Sequence, residues 1–374
     1  MNNKDICILS MQRVNNMGSV LQAYALMKML EGIGYNVYFS DIEKKTNLHN
    51  SNCSSISFSI LLKKMENIDI YFIRRLIVKK KVKKQFIAFD KFRNNELHID
   101  VTKAKYNICV IGSDEVFNCM NNMAEWGFTT RLFGNVEEAD KVITYAASCG
   151  STIYDEIPAD ILNKIKFAFE NIYSFSVRDK NTKDFVSKLT SKSISENLDP
   201  VLVYNFDAEI QNVELPDAPE KYCIVYSYAN RICKKEEIHA IKKLCKSKGM
   251  TPVAVGAPQF WIKDYIVCSP FQCLKLFQNA EFVVTDTFHG TIFSMKYAEK
   301  FAVFVRANNK NKLLDLISRL QIKQHLINNV NELEDKFYVK KNDVKISEMI
   351  NNEKNNTLNY LNNSIYLFQY IIGI

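Results

Sequence analysis

EFVVTDTFHGTIFSMKYAEKFAVFV, Glu281 to Val305, is the stretch on which the fold class turns. It opens on an unbroken apolar run, Phe282–Val284, stops at Thr285–Asp286, and starts a helical pattern near His289–Gly290. A second apolar run, Phe301–Val305, follows. A strand covered on both faces reads as a continuous apolar run rather than an alternation. Two such runs with a helix between them describe a parallel strand–helix–strand unit.

The same rhythm extends in both directions. Ile6–Leu9, Val37–Phe39, Tyr106–Gly112, Val142–Ser148 and Ile172–Val177 read as strands, with helical patterns over Ser19–Gly34, Ala159–Asn171 and Asp179–Leu189. From Asn205 to Lys221 the periodicity lapses and Pro216 and Pro219 appear, which marks a domain junction. Alternation then resumes with Cys223–Tyr228, a helix over Lys234–Lys248, and Thr251–Gly256. The expected fold is α/β, with two doubly wound Rossmann-like domains facing a cleft. Residues 1–205 form the first, with a basic helical insertion around 57–95. Residues 218–340 form the second and carry DTFHGT, and a helical segment, 341–374, packs back across the junction.

Composition narrows the function. The chain has 374 residues, 47% of them apolar and 24% charged, an ordinary globular balance for two domains. No stretch approaches the roughly 20 apolar residues of a membrane helix. The opening residues carry no secretory leader pattern, so a cytoplasmic protein is expected. Ten cysteines are scattered without a CxxC pair, which suits small buried hydrophobes in a reducing compartment and gives no metal site. Between Arg74 and Arg93, nine basic residues interleave with apolar and aromatic ones around a single acid, Asp90. That pattern fits either a solvated outer helix or a basic amphipathic helix in peripheral contact with an anionic membrane at its inner face. No nucleic-acid module accompanies the charge, so no nucleic-acid partner is expected.

In open α/β sheets the working residues gather in loops at the carboxyl ends of strands. DTFHGT places His289, a side chain able to exchange a proton near neutral pH, beside a helix start at Gly290 and Thr291 that suits an anion. Asp286 lies just before it. SVRD sets Arg178 past a strand end, either paired with Asp179 at the surface or aimed into the cleft at a carboxylate or phosphate. GSDEVFN offers Ser113 and Asp114, the latter a helix cap or an orienting carboxylate. Asn16 and Gly18 in NNMGSVLQAYAL, Ser148 in ASCGS, and Arg306 after the last long strand complete the candidates.

NNMGSVLQAYAL, IGSDEVFN, YAASCG, SFSVRD, LDPVLV and VTDTFHGT, in this order, and then NNKNKLLDLISRLQI, resemble the polysaccharide pyruvyl transferase family over roughly residues 6 to 325. The resemblance implies a glycosyltransferase-B-like fold and transfer of an enolpyruvyl group from phosphoenolpyruvate to a sugar of a bacterial surface-glycan precursor, closing a pyruvate ketal. It implies His289 as general acid, Arg178 and the Gly290 helix start as donor contacts, and Asp114 or Asp286 as orienting carboxylates. The donor is a substrate, no cofactor is implied, and the acceptor is expected to be lipid-linked. Members of the family often carry arginine two residues before the histidine, where this chain has Thr287. A second cation must then come from elsewhere, with Arg306 or Arg13 as candidates. A nucleotide-sugar glycosyltransferase and a non-catalytic glycan- or membrane-binding protein are the rival readings.

Overall fold

A computed structural model describes residues 4–42, 69–120 and 126–372. Two six-stranded sheets result, and every strand pair in them is parallel. The first contains β1 (Asp5–Leu9), β2 (Asn36–Phe39), β3 (Tyr106–Asp114), β4 (Ala139–Ala147), β5 (Ile172–Val177) and β6 (Ile194–Glu196), in the order β2-β1-β3-β4-β5-β6. The second contains β7 (Tyr222–Tyr226), β8 (Thr251–Val255), β9 (Asp264–Tyr265), β10 (Phe282–Thr285), β11 (Phe301–Phe304) and β12 (Leu326–Ile327). Its order is β12-β11-β10-β7-β8-β9. Every residue of β1, β7 and β10 is buried, which accounts for their unbroken apolar runs.

Strand order reverses between β1 and β3 in the first sheet and between β7 and β10 in the second. Helices must leave opposite faces of a sheet at such a point, so a crevice opens beyond the carboxyl ends. Both crevices contribute to one cleft, as the loops after β1, β3, β7 and β10 line it together. Strands β6, β9 and β12 are sheet edges of two or three residues, too short to carry a periodic signal. The junction is built on two short helices, Pro200–Val203, which precedes the lapse of pattern, and Asp207–Gln211, which lies within it.

One hydrophobic core runs through both domains and the junction. Tyr24, in the helix Met17–Gly32, is its hub. Its ring lies 5.9 Å from Phe92, 6.0 Å from Phe206 and 5.0 Å from Phe271, one ring each from the insertion helix, the junction and the second domain. The insertion helix, Asp69–Phe92, buries Val78, Gln85, Phe89 and Phe92, while the part of the expected insertion at 57–68 lies outside the described residues. Gln85 donates to the carbonyl of Cys268 at 2.8 Å and accepts from its amide at 3.1 Å, tying this helix to the second domain. Nine cysteines fall among the described residues and are free; Cys233 is exposed and Cys119 half-buried, unlike the other seven.

The helix Asp343–Ile372 returns to the first domain. Tyr360 Oη donates to the carbonyls of Thr144 at 2.7 Å and Ser174 at 3.1 Å, joining this helix to β4 and β5. Lys141 Nζ reaches the Ser364 carbonyl at 2.5 Å. Tyr360→Phe keeps the ring and removes only the shared donor. Each net hydrogen bond is worth about 1 kcal/mol, so urea denaturation should show a loss of about 1–2 kcal/mol with an unchanged slope.

Candidate functional site

The cleft has a volume of 1210 Å³ and is walled by both domains. At its base three ionisable groups converge from distant parts of the chain. Arg178 stands just past β5, Asp199 caps the first junction helix, and His289 lies in the first turn of the helix Phe288–Tyr297. Arg178 Nη1 donates to Asp199 Oδ2 at 2.8 Å, and His289 Nε2 lies 3.3 Å from the same oxygen. Asp199 is fully buried. Burial alone would raise its carboxyl, but His289 and Arg178 outweigh that and bring it down to about 2. Its other oxygen accepts the Val201 amide at 3.0 Å, and Pro200 occupies the first helical position.

His289 Nε2 stands 3.3 Å from the Asp199 carboxylate but makes no hydrogen bond of good geometry. The ring rests against the start of the helix Met17–Gly32. A Cβ built on Gly18 would lie 2.1 Å from His289 Nδ1, so glycine there is what lets the two domains meet at the histidine. Asn16 caps this helix, accepting from the amides of Gly18 at 2.8 Å and Ser19 at 3.3 Å.

Arg178 is held on more than one side. Its guanidinium stacks on the Phe288 ring at 4.2 Å, and Nη2 is 3.9 Å from Asp114 Oδ1. Burial would lower its pKa, but Asp199, Asp114 and Asp179 raise it instead, so the charge stays fixed. Nε has no hydrogen-bond partner, leaving donor capacity in a side chain that lines the cleft. Asp114 has φ of +79°, a left-handed conformation that aspartate tolerates better than most residues, and accepts from Ser19 Oγ at 2.7 Å. Across the cleft, Lys312 Nζ from the second domain is bonded to Glu115 of the first. Burial would raise the Glu115 carboxyl, but Lys312 brings it down to about 2.

The family model for polysaccharide pyruvyl transferase matches residues 16–308, a span that contains all of these groups except Lys312. The chain belongs to the polysaccharide pyruvyl transferase family. It is a transferase. No curated protein matches it significantly in sequence. Among solved structures it is similar to Arabidopsis thaliana UGT89C1 complexed with UDP-L-rhamnose, at 9% identity and a TM-score of 0.50, over 96% of this chain and 98% of that one. Methanocaldococcus jannaschii UDP-GlcNAc 2-epimerase in complex with UDP-GlcNAc and UDP aligns at 11% identity and a TM-score of 0.47, over 93% and 98%. The likeness to the plant enzyme is one of fold, the two-domain glycosyltransferase-B arrangement.

Within this transferase the sequence candidates divide. His289, Arg178, Asp114 and Asn16 line the cleft, and Gly18 abuts the histidine ring. Asp286 does not orient His289. It is fully buried, takes Ser227 Oγ at 2.5 Å and Arg306 Nε at 2.9 Å, and lies 3.4 Å from Arg231. Arg306 is correspondingly committed, with Glu237 completing its contacts at 2.6 and 3.1 Å, and is no free cation. The Gly290 amide is taken by the Thr287 hydroxyl at 2.9 Å, so Gly290 itself offers nothing to an anion. Thr291 Oγ1 donates to the Thr287 carbonyl, Ser113 Oγ to the Ala146 carbonyl, and Ser148 Oγ to Asp179. These three are buried structural hydroxyls. Arg13 pairs with Asp41 at the rim. Asp199 and Lys312 lay unremarked within LDPVLV and NNKNKLLDLISRLQI, and an aspartate ahead of proline was the available signal for the first.

Two outcomes follow from this geometry. Under the acid–base role expected of His289, Gly18→Ala should cut turnover by about 10²-fold, the low end for losing such a group, because the imidazole must move. Gly32→Ala, at the other end of the same helix with nothing within 4 Å, should instead raise stability by about 0.5–1 kcal/mol. Turnover and denaturation measured on the pair separate ring displacement from helix propensity. Asp199 ionises more readily folded than unfolded, so its stabilising share is complete above its unfolded pKa near 3.8 and is lost as pH falls through about 2. Asp199→Asn should flatten this acid limb in stability measured against pH, and should lose turnover at neutral pH as well.

Proposed function

We propose that this protein transfers the enolpyruvyl group of phosphoenolpyruvate to a sugar of a surface-glycan precursor and closes it into a pyruvate ketal. The observation that carries the reading is the meeting of His289 with the buried Asp199–Arg178 pair at the base of the cleft. A protonated imidazole held beside a carboxylate can deliver a proton to carbon, and an oriented guanidinium can hold an oxyanion bidentately.

His289 gives its proton to the methylene carbon of the donor, which becomes a methyl group while C2 gains oxocarbenium character. One sugar hydroxyl adds to C2 and gives up its proton. A second hydroxyl then closes the ring as the C2–O bond to phosphate breaks. Of the two hydroxyl protons, one restores His289 and the other leaves with phosphate. Arg178 offers its unpartnered Nε to the donor carboxylate, with Nη2, 3.9 Å from Asp114, turned to the same ligand as that longer contact yields. The amides of Phe288 and His289, which open their helix without an intrahelical acceptor, face the phosphate. Lys312 supplies the second cation that Thr287 cannot, and leaves Glu115 to do so.

Phosphate release from phosphoenolpyruvate in the presence of a glycan acceptor tests the reading. His289→Ala should lose at least about 10²-fold in rate. Arg178→Lys and Lys312→Met should weaken donor use more than acceptor binding, since lysine lacks the planar fork and methionine the charge. Turnover of a UDP-sugar with no phosphate release from phosphoenolpyruvate would replace this donor by the nucleotide-sugar one. Acceptor binding without either reaction would leave a glycan-binding protein.

A further inference from the structure

The helix Asp69–Phe92 has one face packed and one face bare among its described side chains. Val78, Gln85, Phe89 and Phe92 are buried, and Val82 packs on the core of the second domain. Lys81 Nζ donates to the Tyr265 carbonyl of the second domain at 2.9 Å, and Phe92 packs on Tyr24 of the first, so the helix is fixed to both. On the opposite arc Lys79, Lys80, Lys83, Lys84 and Lys91 are exposed. Between them stand Leu76, Ile77, Phe86 and Ile87, exposed by 52, 51, 43 and 54%. The arc's acid, Asp90, is already paired with Arg93 at 2.8 Å.

Five lysines alone, without an ion pair among the described residues, describe a solvated face. Two pairs of large apolar side chains, Leu76–Ile77 and Phe86–Ile87, left in water on the same face do not, because a merely solvated face has no use for them. Lysine stems lie along apolar surface while their ammonium groups reach outward, so cation and hydrocarbon can engage one boundary at two depths. We propose that this face docks in the plane of an anionic lipid surface. A polyanion such as nucleic acid would satisfy the lysines and leave Leu76, Ile77 and Ile87 wet. No described helix is long and apolar enough to cross a membrane, so the contact is lateral. Phe86 and Asp90 of the same helix also line the cleft, and docking therefore turns the cleft mouth toward the lipid. The proposal rests on the helix surface rather than on the donor chemistry, so vesicle binding and phosphate release fail independently.

Sedimentation with vesicles of phosphatidylcholine, with and without phosphatidylglycerol, decides it. The protein should pellet with the anionic vesicles only, less so as salt rises. Replacing Lys79, Lys80, Lys83 and Lys84 by Gln should lower the partition by about tenfold or more. Leu76→Ser, Ile77→Ser and Ile87→Ser together should lower it as well, with turnover on a soluble acceptor and circular dichroism unchanged in both variants. Equal recovery in the supernatant with both vesicles overturns the proposal. So does anionic binding that survives the three serines, since that is charge attraction to any polyanion.

Discussion

A single buried carboxylate organises this protein. Asp199 Oδ1 caps the junction helix, while Oδ2 faces Arg178 from the first domain and His289 from the second. Removing three ionisable groups from water is costly, and is offset only where each is paired at short range. That requirement fixes the end of β5, the start of the junction and the loop after β10 relative to one another. Remove the carboxylate, and a buried guanidinium loses its closest counter-charge in the same place that the imidazole loses its neighbour.

Closure of the two domains follows from the same constraint. The histidine can reach Asp199 only if its ring passes the start of the Met17–Gly32 helix, and Gly18 removes the side chain that would stop it. At the far end of the His289 helix, Lys296 donates to the carbonyls of Val201 at 2.7 Å and Tyr204 at 2.5 Å. Burial lowers that amine to about 7, and a neutral amine still has two N–H groups for two carbonyls. The helices that begin at Asp199 and at Thr287 are thus joined at both ends, by charge where the cleft opens and by hydrogen bonds where it is closed.

The strand ends were legible because strands buried on both faces leave long apolar runs, and the cleft was legible because parallel sheets place their loops at one edge. The histidine was legible for the same reason. Partner assignments were not, because neighbours in sequence at a strand end need not point the same way. Asp286 lies three residues from His289 and yet is drawn inward to Ser227 and Arg306. Asp199, ninety positions earlier, supplies the contact. Its position could be read as a cap ahead of a proline, but its reach to a second domain is a property of the closed chain alone. The short strands β6, β9 and β12 escaped for a plainer reason, since two or three residues cannot display a period.

Thr287 shows how one residue redistributes the work of a site. A threonine there caps its helix through the Gly290 amide, and the same hydroxyl lies 3.2 Å from Thr285 Oγ1. An arginine could not make that cap, and its charge would stand at a helix start whose dipole already disfavours cations. The chain therefore gains a firm helix start beneath His289 and forgoes a cation there. Lys312 then stands out among the remaining cationic side chains of the cleft. Arg93 is fastened to the loop after β1 and Arg13 to Asp41 at the rim, while Arg306, outside the cleft lining, is taken by Asp286 and Glu237. Lys312 is held to the opposite wall by Glu115, a link between domains rather than within one. An anion that drew Lys312 away from Glu115 would exchange that link for its own, so under the proposed chemistry donor binding and the spacing of the cleft walls are coupled through this one ammonium group.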